Sequence, residues 1–166
     1  VSEILDDAQS HSEQELIGLI RQRAQGLQRL KSIVAPETMD YQERGGYEYF
    51  LRHQGALAEQ CFTHLEWANQ LAKEALKTTQ DVFTPVENRF GFSGISPKGI
   101  LNKFEGQIHT GRLMEALSLK AAVCGVHFLG GVKAISHTAN SDEVALQTEA
   151  HGIITTKKLL LATNGY

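Results

Sequence analysis

What this 166-residue chain lacks narrows its class before any motif does. Two cysteines cannot build a disulfide framework, and so few thiols fit a reducing compartment, so the expected location is cytoplasmic. Charge of one sign is missing too. Sixteen Lys and Arg against nineteen Asp and Glu leave −3, too mild and mixed to call for a nucleic-acid partner. No apolar run approaches the roughly 18 residues of a membrane span, and no signal-peptide pattern opens the chain. The reaction signatures are absent as well. There is no G-x-S-x-G, no paired-histidine metal motif and no G-x-G-x-x-G; Gly91 and Gly94 come nearest to the last, in a Phe-rich, Pro-interrupted context. No complete catalytic set can be assembled from these residues. The chain opens on Val1 without an initiator Met and stops just after an apolar run, and is read as an internal section of a longer protein.

What is present is enough for a packed core, at 42% hydrophobic. Ser12 and Glu15 form a capping box ahead of Leu16, Ile20, Ala24, Leu27 and Val34 at helical spacing, which predicts a helix over 12–33, ended before Pro36. Residues 39–51 carry Tyr41, Tyr47, Tyr49 and Phe50 around Gly45-Gly46 and read as a hairpin or two short strands. A second amphipathic helix is expected over 55–77, with Leu57, Cys61, Leu65, Ala68, Ala72 and Leu76 on one face. Residues 82–104 read as strands and turns of unclear order. Thr110 is placed to cap a helix running to about Cys124, with Leu113, Leu117, Ala121 and Cys124 as its buried stripe and Gly125 as its left-handed stop. Residues 126–129 read as a short strand. Residues 132–138 and 143–148 alternate as a hairpin, and Leu159-Leu160-Leu161-Ala162 reads as a strand buried on both faces.

Few side chains suggest chemistry. Cys61 with His64 and Cys124 with His127 repeat a Cys-x-x-His spacing, but a tetrahedral zinc site needs four converging ligands, and both thiols read better as small core residues. No metal site is expected. His109 precedes a helix start, where a structural hydrogen bond is the simpler role. Arg21, Arg23 and Arg29 read as a solvated helix face. Tyr47 and Tyr49 share one strand face with Glu48 opposite; core packing is favoured for them over lining a substrate pocket.

From Gly106 onward the order is specific. Gly106-Gln107-Ile108-His109-Thr110-Gly111-Arg112-Leu113 leads into the helix stopped by Gly125. Val126-His127-Phe128-Leu129, Val132-Lys133-Ala134-Ile135, the hairpin and Leu159-Leu160-Leu161-Ala162-Thr163-Asn164-Gly165-Tyr166 follow. This resembles the D-amino-acid-oxidase-like family of FAD-dependent oxidoreductases, with Thr110 standing where proline is commoner; a helix can start at either. The resemblance implies three segments: 1–34, helical, after the flavin-binding loop; 35–104, of the substrate lobe; and 105–166, of the FAD-binding domain. It implies α+β architecture, with three main helices, a small antiparallel substrate-lobe sheet and a partial FAD-domain sheet. It also implies hydride transfer to FAD from a small amine, amino acid or hydroxy acid. Val132 is then expected to meet the adenine edge through its backbone, with Ala162, Thr163 and Gly165 turning beside the ribose-pyrophosphate, while Asn164 fits an ordinary turn equally well. The partners implied are a small-molecule substrate and the remaining parts of the same FAD domain. The competing reading is a non-enzymatic α+β binding module with closed sheet edges.

Overall fold

Ser12 begins the longest helix as its neighbours suggest. Its hydroxyl accepts the Glu15 N–H at 3.4 Å while the Glu15 carboxylate takes the Ser12 N–H at 2.8 Å, a reciprocal cap that satisfies two free donors. In this computed structural model, which describes residues 1–164, that helix is α2 (Glu13–Ile33). A short helix α1 (Ser2–Asp7) precedes it, missed in the sequence because one turn and a half carries too little periodicity; Ile4 is its buried residue. The architecture is α+β: five α-helices and two three-stranded antiparallel sheets among the described residues. The chain divides into two units, Val1–Lys120 and Ala121–Tyr166. Residues 1–34 and 35–104 therefore lie within the first unit. No helix among the described residues is long and apolar enough to cross a membrane.

The first unit is built on a sheet of order β1-β3-β2, with β1 (Gly46–Leu51), β2 (Phe83–Glu87) and β3 (Ile95–Asn102). The hairpin expected within 39–51 is not there. Only 46–51 is a strand, and its partner is β3, in the register Tyr47↔Leu101 and Tyr49↔Gly99. Residues 39–45 instead form a turn and an isolated bridge from Gln42 to Gln107. The helix expected over 55–77 is two helices, α3 (Gly55–Thr63) and α4 (Leu65–Leu76), broken at His64. There the imidazole Nδ1–H donates back to the Gln60 carbonyl at 2.8 Å, competing with the backbone ladder. α4 ends on Lys77 in the left-handed region, φ +53°.

The core of this unit lies between the helices and one sheet face: Leu16 and Ile17 of α2, Cys61 of α3, Leu71 and Ala72 of α4, with Phe50, Phe83 and Ile100 from the strands. Asn69 is the buried polar exception. Its amide oxygen accepts from Val82 N–H at 2.9 Å and Phe83 N–H at 2.8 Å, and its NH2 donates to the Phe83 carbonyl at 2.9 Å, locking β2 onto α4.

α5 (Thr110–Val123) closes on a Schellman motif, as the glycine predicts. Gly125 has φ +87°, its N–H reaches the Ala122 carbonyl, and Val126 N–H reaches that of Ala121. The second unit is a meander, β4 (Ala134–Ala139), β5 (Val144–Thr148) and β6 (Ile153–Thr156), all antiparallel neighbours. The β4–β5 turn is the expected one, held by Asn140, whose side-chain oxygen accepts the N–H groups of Asp142 and Glu143 at 2.9 Å each. β6 was not anticipated; its turn depends on Gly152 at φ +74° and on Thr148, whose hydroxyl donates to the Gly152 carbonyl. Residues 126–129 and 159–162 are not strands, contrary to expectation. A strand exists only with a neighbour, and no described residue pairs with either.

Candidate functional site

The segment that launches α5 is positioned by backbone pairing. Gln42 and Gln107 exchange two N–H···O bonds at 2.9 and 3.0 Å, and His109 N–H donates to the Met39 carbonyl at 2.8 Å. Gly106 is required there, since a Cβ would meet the Gln42 carbonyl and the Tyr41 ring at 2.7 Å. The cap itself differs from expectation. Thr110 is already helical, and it is His109 Nδ1 that accepts the Arg112 N–H at 3.2 Å. An accepting Nδ1 requires the tautomer with its proton on Nε2. His109 is thus a structural cap.

Of the expected cofactor contacts, Val132 lies two residues before β4, half-buried, and Ala162 and Thr163 follow β6 in an exposed irregular stretch. Gly165 lies outside the described residues. Asn164 has φ +53°, a left-handed turn conformation. Val132 has one feature the sequence could not supply: among the described residues its backbone N–H and C=O take no partner, whereas the next carbonyl, Lys133, accepts from Glu149 N–H at 3.0 Å. One backbone donor and one acceptor are left open at the residue leading into the meander. The strips on either side of the meander are exposed and apolar, with Phe128 at 61%, Leu129 at 68%, Leu160 at 88% and Leu161 at 63%.

The first unit holds a groove of about 820 Å³ lined by Ala24, Leu27 and Leu30 of α2 with Tyr41, Phe104 and Ile108. Glu48 faces it, hydrogen-bonded by the backbone N–H and hydroxyl of Ser2.

Tyr47 and Tyr49 share one face, as the alternation requires, but they are not core. Their rings stack at 6.2 Å on the outer sheet face, and Phe90 meets both edge-on. The Arg89 guanidinium lies over Tyr47 and Phe90. Gly99 lies beneath Tyr49, where a Cβ would sit 2.5 Å from the ring. Arg21, Arg23 and Arg29 are exposed as expected, Arg23 reaching Glu3 at 3.0 Å.

The two thiols part company. Cys61 is fully buried, and burial first, then the Glu48 charge, push its pKa up. Cys124, read as a core residue, is exposed, because α5 has no buried residue at all. Among the described residues no group of three or more His, Cys, Asp or Glu could hold a metal ion. Compared with protein-family models, with curated proteins and with solved structures, the chain finds no match.

Proposed function

We propose that this chain is part of an FAD-dependent oxidoreductase of the D-amino-acid-oxidase-like type, acting on a small amine, amino acid or hydroxy acid, in the cytoplasm. The observation that carries the reading is Val132: a residue whose backbone donor and acceptor are both open, placed between a Gly-stopped helix and a three-stranded meander. An adenine edge presents a donor next to an acceptor, and such a backbone pair complements it without using any side chain. Bound FAD would supply hydride acceptance, the chemistry this chain's side chains do not carry.

The chain's own contribution is binding. Val132 N–H donates to the adenine edge and its carbonyl accepts from it. Ala162, with a single methyl, lets the backbone come close to the ribose-pyrophosphate, Thr163 stands beside it, and Gly165 brings no side chain to obstruct the same contact. The competing reading, a self-contained binding module, predicts closed sheet edges. The exposed strips at 126–129 and 159–162 count against it.

The test uses the polypeptide isolated from its source. FAD should co-purify, visible in the flavin absorbance band, and should be bleached anaerobically by one member of an amine, amino-acid and hydroxy-acid panel. Val132→Pro, which deletes the N–H, should weaken FAD binding about tenfold, the worth of one hydrogen bond of ~1.4 kcal/mol. Val132→Ala, which keeps the backbone, should bind as before. A polypeptide that neither retains nor rebinds flavin would falsify the proposal.

A further inference from the structure

Residues 88–94, the tip of the β2–β3 hairpin, take their shape from local chemistry. The Asn88 side-chain oxygen accepts the Phe92 N–H at 3.2 Å, and its NH2 donates to the Phe92 carbonyl at 2.7 Å. Gly91 at φ +67° and Gly94 at φ +79° supply the left-handed corners. The loop so defined holds two large apolar rings in water, Phe90 at 47% and Phe92 at 57% exposure. Phe90 meets Tyr47 edge-on at 5.0 Å and Phe92 meets Tyr49 edge-on at 6.2 Å, so the four rings make one patch.

Cations border that patch and acids do not. The Arg89 guanidinium lies 4.9 Å from the Tyr47 ring centre and 5.0 Å from that of Phe90. Arg52, also exposed, is tied to the end of the loop through its backbone N–H, which donates to the Gly94 carbonyl at 3.1 Å. Among the described residues the arginines paired with carboxylates are Arg23 and Arg112; Arg52 and Arg89 are not. The register puts Tyr47, Leu101 and Thr84 on the outer sheet face, with Tyr49, Gly99 and Val86 beside them. Glu87 falls on the other face by alternation, opposite Lys98.

We infer that this hairpin tip seats on an anionic lipid surface. Phe90 and Phe92 enter at the boundary between headgroups and acyl chains, where aromatic rings settle, and Arg89 and Arg52 meet lipid phosphates. The inference is independent of the function proposed above. A free phosphate would use the arginines and leave the rings in water. A protein partner would need a cavity cut to a narrow, convex tip, whereas a fluid surface receives it without one. Two rings and two cations make a reversible attachment, of the kind in which a single anchoring signal holds only weakly.

The experiment is co-sedimentation with vesicles, of phosphatidylcholine alone and of phosphatidylcholine mixed with phosphatidylglycerol, for this chain and for the polypeptide isolated from its source. Both should sediment with the mixed vesicles at low salt and bind about tenfold more weakly at high salt. Arg89→Gln should weaken binding about fivefold and reduce its salt dependence. Phe90→Ser combined with Phe92→Ser should weaken it about tenfold at every salt concentration. Phe90→Trp should bind as before, with the added emission shifting to the blue on mixed vesicles, a readout that a misfolded variant would not give. Failure of either polypeptide to sediment with mixed vesicles overturns the inference; failure of the source polypeptide alone would mean that protein covers the tip. Undiminished binding by the double serine variant overturns it too. So does release by inorganic phosphate at matched ionic strength, since the arginines would then be a site for the free anion.

Discussion

Cys61 and Cys124 each begin a Cys-x-x-His sequence, yet burial separates them completely. Cys61 is sealed in the core, and the burial and nearby Glu48 charge that push its pKa up also keep its thiolate scarce. Cys124 stands exposed just past α5. A maleimide or disulfide reagent should therefore label one thiol per native chain rapidly, mapped to Cys124, and reach Cys61 only on unfolding; equal rates at both would contradict the packing. Spacing alone could not tell the two apart, because whether a helical cysteine is core depends on what packs over its stripe. His109 is similar. Its place at a helix start was legible, whereas its role as the cap depends on a rotamer. Val132 was legible only as a position in a pattern, since the open donor and acceptor belong to the backbone and leave no mark on residue type.

At the scale of elements, caps and turns are where local chemistry decides, and those were readable: Ser12 with Glu15, Gly125, and Asn140 in the β4–β5 turn. The capping box makes the helix's stability depend on pH. The Ser12 backbone N–H, and after it the Ser12 hydroxyl, hold the Glu15 carboxyl below its ordinary 4.5. A depressed carboxyl stabilises the fold at all pH above that ordinary value, and the contribution disappears as pH falls through the lower folded value. Ser12→Ala should cost about 1 kcal/mol near neutrality. It should also lessen, without abolishing, the loss of stability on acidification, since the hydroxyl bond to Glu15 is removed while the residue-12 backbone N–H, the larger cause, remains. Urea melts of both proteins near neutrality and well below the ordinary carboxylate range check this, and parallel pH slopes would contradict it. What was not readable depended on distant partners. β1 pairs with β3 across some fifty residues rather than with a local hairpin strand, and the apolar strips read as strands without neighbours to make them so.

Across the whole molecule, burial is divided unevenly. Every buried hydrophobic residue among those described, from Ile4 to Ile100, lies in the first unit; the second buries only Thr148, a polar residue satisfied by its own turn. Hydrophobic stabilisation follows area removed from water, so a three-stranded meander with no buried apolar residue has little beyond its ladder to offset chain entropy. The isolated chain should unfold in two steps, with the meander lost at low urea and the sheet-and-helix unit held by Phe50, Phe83, Ile100 and the Asn69 clamp to higher urea. Limited trypsin digestion gives the same test in another form. Lys133, Lys157 and Lys158 are exposed around the meander, and cleavage there should precede any cut within α2 or α4, leaving a resistant fragment that contains residues 1–102. A single cooperative transition, or early cuts in both units at comparable rates, would mean that the meander is stabilised by contacts its own burial does not account for.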